Sequence, residues 1–103
     1  MSLTSKQRAY LKGLAMNEDT IIMVGKGGVT DKLVLSVAEA LRARELVKGK
    51  VLESSPQTAR EVCDELCARC GAEGVQCIGT KFVLYRRNEK EPKITLPKDG
   101  KKT

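Results

Sequence analysis

The segment of this 103-residue chain best suited to hold a ligand is Gly25-Lys26-Gly27-Gly28. Glycines permit positive φ and let a phosphate approach the main chain closely. A helix expected to begin near Asp31 adds free N–H groups and the positive end of its dipole. Lys26 at the loop tip and Lys32 in the first helical turn add charge-assisted hydrogen bonds. The chemistry this pattern supports is anion binding. The competing reading is a plain strand-to-helix turn, because a G-x-x-G tetrapeptide arises easily by chance. A nucleotide-hydrolysing P-loop does not fit. Thr30-Asp31-Lys32 stands where Gly-Lys-Thr is required, so the phosphate-cradling lysine and the magnesium-binding hydroxyl are misplaced.

Four cysteines invite a metal or disulfide reading, but their spacing favours a simpler one. Cys63, Cys67 and Cys70 fall with Val62 and Leu66 on the apolar face of a helix, and Cys77 falls in a strand, so small buried thiols are expected. The Cys67-Ala68-Arg69-Cys70 motif lies at a helix C-terminus, where the dipole disfavours a thiolate. The chain has no histidine, which removes imidazole-based catalysis and the commonest zinc ligand. No cofactor and no catalytic activity are expected. Tyr10, Phe82 and Tyr85 are the whole aromatic complement, too few for a platform that stacks several bases. Tyr10 and Tyr85 are expected at the core margin.

Nineteen Lys and Arg against thirteen Asp and Glu give a net charge of +6, a balance that favours polyanions, nucleic acid foremost. The excess is uneven. Residues 1 to 50 hold nine basic and five acidic residues, residues 51 to 87 hold five of each, and residues 88 to 103 hold five and three. Nucleic acid or another polyanion is thus expected to meet the first half, with the acidic face of the third helix turned away. No apolar run reaches the ~20 residues of a membrane span, and the N-terminus lacks the apolar stretch of a secretion signal. A cytoplasmic protein is expected.

These residues need elements to position them. Thr4 with Gln7 fits a capping box, and Ala9, Leu11, Leu14 and Ala15 give an apolar stripe, predicting a helix over 4–15 whose other side carries Lys6, Arg8 and Lys12. The β-branched run Thr20 to Val24 predicts a buried strand ending at Gly25. Thr30 caps a helix over 31–44 with Leu33, Val34, Val37 and Leu41 inward. Val47 to Glu53 reads as a strand with Val47, Gly49 and Val51 on one face and Lys48 and Lys50 on the other. Ser55-Pro56 opens a helix over 56–70, acidic outside at Glu61, Asp64 and Glu65 and closed by Gly71. Val75 to Ile78 and Phe82 to Arg87 flank a three-residue loop and read as a hairpin. From residue 88 onward an extended or disordered tail is expected. The order α-β-α-β-α-β-β predicts one domain over 1–87, a two-layer α/β sandwich on a mixed four-stranded sheet, and a polar, basic tail over 88–103.

In order and spacing, six segments make the chain similar to the CRM domain family in its single-domain bacterial YhbY-type form. They are Leu3-Thr4-Ser5-Lys6-Gln7 with Leu11-Lys12-Gly13-Leu14-Ala15; Gly25-Lys26-Gly27-Gly28-Val29-Thr30; Glu45-Leu46-Val47-Lys48; Gly74-Val75-Gln76-Cys77-Ile78-Gly79; Val83-Leu84-Tyr85-Arg86; and Ile94-Thr95-Leu96-Pro97. The resemblance implies a fold similar to the C-terminal domain of bacterial translation initiation factor three. It also implies an RNA-binding protein that joins precursors of the large ribosomal subunit, with the loop Gly25, Lys26, Gly27 and Gly28 compared to the RNA-clamping loop of KH domains. Lys6, Arg8, Lys12 and Lys32 are expected to support that clamp, and Lys48, Lys50, Arg86 and Arg87 form a second tier. The alternative class is a protein-interaction module that docks on a ribosomal protein or assembly enzyme.

Overall fold

The capping box expected at Thr4 forms. In the computed structural model, which describes residues 3–88, 90 and 94, the Thr4 hydroxyl accepts the Gln7 N–H and the Gln7 side-chain oxygen accepts the Thr4 N–H, both at 3.1 Å. Helix α1 follows over Ser5–Ala15. Then come β1 (Thr20–Val24), α2 (Asp31–Arg44), β2 (Leu46–Val51), α3 (Ala59–Cys70), β3 (Glu73–Ile78) and β4 (Lys81–Tyr85). The strands lie in the order β1-β2-β4-β3. The β1–β2 pair is parallel and the other two pairs are antiparallel, giving the mixed four-stranded sheet of the sequence reading.

Alternation along β2 and β4 divides the interior between the two faces of the sheet. Val47, Val51, Phe82 and Leu84 join Val37 and Leu41 of α2 and Val62 and Leu66 of α3 in the larger core. Sheet and α2–α3 thus form the expected α/β sandwich, and α1 adds a layer on the opposite face. Leu46, Val83 and Tyr85 point the other way and pack with Val75 and with Leu3, Leu11 and Ala15 in a second cluster under α1. Sequence periodicity left the face that receives α1 unassigned. Tyr85 is fully buried, whereas Tyr10 projects into solvent at 42% exposure, and Ala9, expected in the apolar stripe, is exposed.

Helix α3 begins three residues later than expected. Thr58 is its N-cap, in a second capping box with Glu61. The Ser55 hydroxyl instead closes a short turn, accepting the Gln57 N–H at 3.0 Å and donating to the Gln57 carbonyl, the local side-chain bonding that competes with helix in serine. The hairpin loop is shorter than the three residues expected. Ile78 pairs with Lys81, leaving Gly79 and Thr80, and Gly79 takes φ of +59° at the first loop position.

The end of α2 holds a buried carboxylate. Glu45, its C-cap, has φ of +66° and is fully buried. One carboxylate oxygen accepts the Asn88 N–H and the other the Ile94 N–H, each at 2.7 Å. Ile94 packs on the α1 cluster. Of the tail expected from residue 88 onward, only Asn88, Lys90 and Ile94 are described residues, and Ile94 is held against the domain.

Candidate nucleic-acid interface

The strand β1 ends where its main chain is still anchored, the Leu52 N–H donating to the Val24 carbonyl at 2.8 Å. The next four residues close a turn in which the Gly28 N–H donates to the Gly25 carbonyl at 2.9 Å. The turn is braced from behind. The Val29 N–H donates to the Gln57 side-chain oxygen at 3.0 Å, and the Gln57 amide nitrogen donates to Glu65 on α3 at 2.9 Å. Two of the amides in and beside the loop, those of Gly28 and Val29, are thereby engaged internally. What the tip offers outward is the main chain of residues 26–27 and the exposed Lys26 side chain.

Gly28 is the glycine this turn requires. Its φ is +65°, and a Cβ there would lie 2.7 Å from the Gln57 oxygen, whereas at Gly25 and Gly27 the nearest atoms would stand at an ordinary 3.6 Å. Gly28→Ala is therefore expected to cost about 1–2 kcal/mol from the left-handed backbone alone, more where Gln57 must release Val29. Gly25→Ala and Gly27→Ala should each cost less than half of that in urea melts; equal losses at all three positions would contradict the bracing by Gln57.

Behind the loop, Thr30 caps α2 by accepting the Leu33 N–H. Asp31 occupies the first helical turn and pairs with Arg69 of α3 at 2.6 Å, and Arg69 also reaches Glu65. The hydrogen bond that Arg69 donates to Asp31 raises the Arg69 pKa. The positive end of the α2 dipole thus already has a carboxylate beside it, and positive charge at the loop comes from Lys26 and Lys32, both exposed.

The remaining basic residues fall into distinct groups. Lys6 and Lys12 are exposed on α1, while the Arg8 Nε donates to the Gly74 carbonyl at 3.3 Å and ties α1 to β3. Lys48 projects from the α1 face of the sheet and donates to the Ala15 carbonyl at the end of α1, at 3.2 Å. Lys50 shares that face, half-buried. Arg86 is a structural clamp, donating to the carbonyls of Cys70 at the end of α3 and Ala38 on α2, at 2.8 and 3.4 Å. Arg86 and Arg87 follow Tyr85, which pairs with Leu46 at the start of β2. The loop lies beside the end of β2, about 16 Å away along the strand. Lys12 of α1 lines a groove with Gln76 and Ile78 at the β3 edge, whereas the loop follows β1 at the other edge, with Lys48 and Lys50 of β2 between them. Gln57, the brace of the loop, escaped sequence reasoning, because a glutamine 28 residues from its partner leaves no local signal.

The cysteines are free thiols. Cys63 and Cys70 are buried; Cys67 and Cys77 are half-buried. Cys63 and Cys67 share a hydrogen bond that pulls the Cys63 pKa down and pushes that of Cys67 up, and burial raises Cys70 and Cys77. Among the described residues, no group of three or more potential ligands is arranged to hold a metal ion, and no helix is long and apolar enough to cross a membrane.

With that geometry in place, the chain can be set beside known proteins. YqeI of Bacillus subtilis is 39% identical over 95 residues, 92% of this chain and 99% of that one. A protein of Haemophilus influenzae named "RNA-binding protein" is 36% identical over 97 residues, 94% of this chain and 97% of its own. The solution structure of SAV1595 from Staphylococcus aureus is similar with a TM-score of 0.78 at 36% identity, covering 93% of this chain and all of that one. The sequence profile of the CRS1/YhbY (CRM) domain matches residues 3–86, and the chain belongs to that family.

Proposed function

We propose that this chain is an RNA-binding protein that acts by binding rather than catalysis, joins cytoplasmic precursors of the large ribosomal subunit and assists their assembly. The observation that carries the binding reading is Lys26, a solvent-facing cation at the tip of a turn held rigid by Gly28 and Gln57. A pre-positioned cation loses little freedom on meeting a phosphate. Family membership and the name of the Haemophilus influenzae relative support RNA as the polyanion. The ribosomal part of the proposal rests on the resemblance to YhbY-type proteins. Lys32 extends the loop contact, and Lys6, Arg8 and Lys12 on α1 form its distant support. The acidic residues Glu61 and Asp64 are exposed on α3, which packs on the opposite face of the sheet from α1.

Lys26→Glu replaces a phosphate contact with a repulsion and is expected to weaken binding of ribosomal precursor RNA at least tenfold at physiological salt. The dependence of log affinity on log salt should become shallower by about 0.7. Unchanged affinity would refute the clamp. In sedimented cell extract the protein should co-migrate with immature large subunits. Crosslinking should give RNA adducts at residues 26–32, and protein-only adducts would favour docking on a ribosomal protein instead.

A further inference from the structure

On the α1 face of the sheet, strand register sets four residues in a row across all four strands: Met23, Lys50, Lys81 and Ile78. Lys50 and Lys81 are direct cross-strand partners, so their Cβ atoms stand about 4.5–5.5 Å apart on one face. Like charges directly opposite one another destabilise a sheet. Among the described residues neither lysine enters an ion pair, and the neighbouring strand positions on that half of the face, Ile21, Lys48, Gln76 and Val83, include no carboxylate.

The row is also open. Helix α1 covers the other half, over Leu46, Val75 and Tyr85, while Met23 and Ile78 are 58% and 65% exposed and Lys81 is exposed. Lys48, Gln76, Ile78, Lys81 and Val83 line a groove of about 200 Å³. At Gln76 and Ile78 it meets a second groove at the β3 edge, lined by Lys12 of α1 and Arg60 of α3 and also by the carboxylates of Asp64 and Glu73, so the lysine-only stretch ends there. The other end of the row, Met23, lies two residues before Gly25.

Resting on the reading that the chain binds RNA, we propose that an RNA strand held at Lys26 continues across this row, with Lys50 and Lys81 gripping successive phosphates and Met23 and Ile78 packing against sugars and bases, toward Lys12. Charge complementarity selects the occupant: an uncompensated lysine pair gains from a polyanion that carries a negative charge at every unit. Lys81 is a binding residue of this path. The row joins the loop beyond β1 at one edge of the sheet to Lys12 at the β3 edge.

The test uses the full chain and a short mixed-sequence single-stranded oligoribonucleotide, followed by fluorescence anisotropy across a salt series. In the double variant Lys50→Gln, Lys81→Gln, affinity is expected to fall about tenfold and the log–log salt slope to become shallower by about 1.4, two single-strand contacts. Thermal stability should hold or rise as the repulsion is removed, the reverse of what a structural role predicts. Parent-like affinity and slope in this variant, with Lys26→Glu weakened, would overturn the row and leave the loop clamp standing. Absence of RNA binding by the parent chain would overturn both. Displacement of the RNA by poly-glutamate at equal charge concentration would also overturn the row as an RNA path.

Discussion

Glu45→Ala is expected to remove about 3–5 kcal/mol of stability. The carboxylate accepts two main-chain N–H groups at 2.7 Å, and hydrogen bonds to a charged partner contribute about 1.5–3 kcal/mol each, with buried donors left unsatisfied when the acceptor goes. For a domain whose total stability is typically 5–15 kcal/mol, that is a large share. Replacement by glycine should be milder than by alanine by about 1 kcal/mol, because φ of +66° at this position strains a side chain that glycine lacks. Glu45→Gln should fall between parent and alanine: its amide oxygen can still accept one N–H, but its NH₂ meets the other as donor against donor. Urea melts give the ranking. Trypsin should cut at Arg87 and Lys90 faster in the alanine variant than in the parent at equal stability of α2 and α3. Unchanged cleavage would show that the carboxylate does not hold Asn88 and Ile94 in place.

Gly49→Ala should be comparably damaging for an unrelated reason. Gly49 is the cross-strand partner of Phe82, and a Cβ there would sit 2.3 Å from the Phe82 Cζ and 2.6 and 2.9 Å from both Cε atoms. The ring has no exposed surface and nowhere to go. Overpacking of this kind typically costs 1–3 kcal/mol, and here the overlap places the expected loss at about 3 kcal/mol. The phenyl ring covers the glycine and fills the space a side chain would take, as aromatic residues do over strand glycines. Phe82→Leu in the Gly49→Ala background should recover at least about 1 kcal/mol relative to additivity, since the two residues touch. Simple additivity in that double-mutant cycle would show that the damage lies elsewhere.

These two positions also mark where sequence could and could not be read. The caps at Thr4 and Thr30 were legible, because each is decided within one helical turn. So was the strand–loop–helix course through Gly28. The start of α3 was misplaced although Thr58 and Glu61 repeat the pattern of Thr4 and Gln7; Ser55-Pro56 offered a rival signal, and the Ser55 hydroxyl closed its own turn. Glu45 looked like an ordinary charged residue after a helix. Its partners lie 43 and 49 residues away, and no local pattern reports them. Helical spacing identified the apolar side of α1 but not the sheet face that receives it. In the candidate site, Lys26 and Lys32 followed from local motif, whereas the pairing of Lys50 with Lys81 needed the register of two strands that are not adjacent in sequence.

The four consecutive buried residues of β4 carry a consequence for cooperativity. Phe82 and Leu84 belong to the core under α2 and α3, and Val83 and Tyr85 to the one under α1. The two apolar clusters meet through the central strands β2 and β4, each cluster contributing alternate teeth to the same comb. Losses at Leu66 and Leu11 should simply add, because the two residues belong to separate clusters on opposite faces of the sheet. A lesion in β4 acts on both sides at once. With β2, that strand makes two thin layers of packing melt as a single unit.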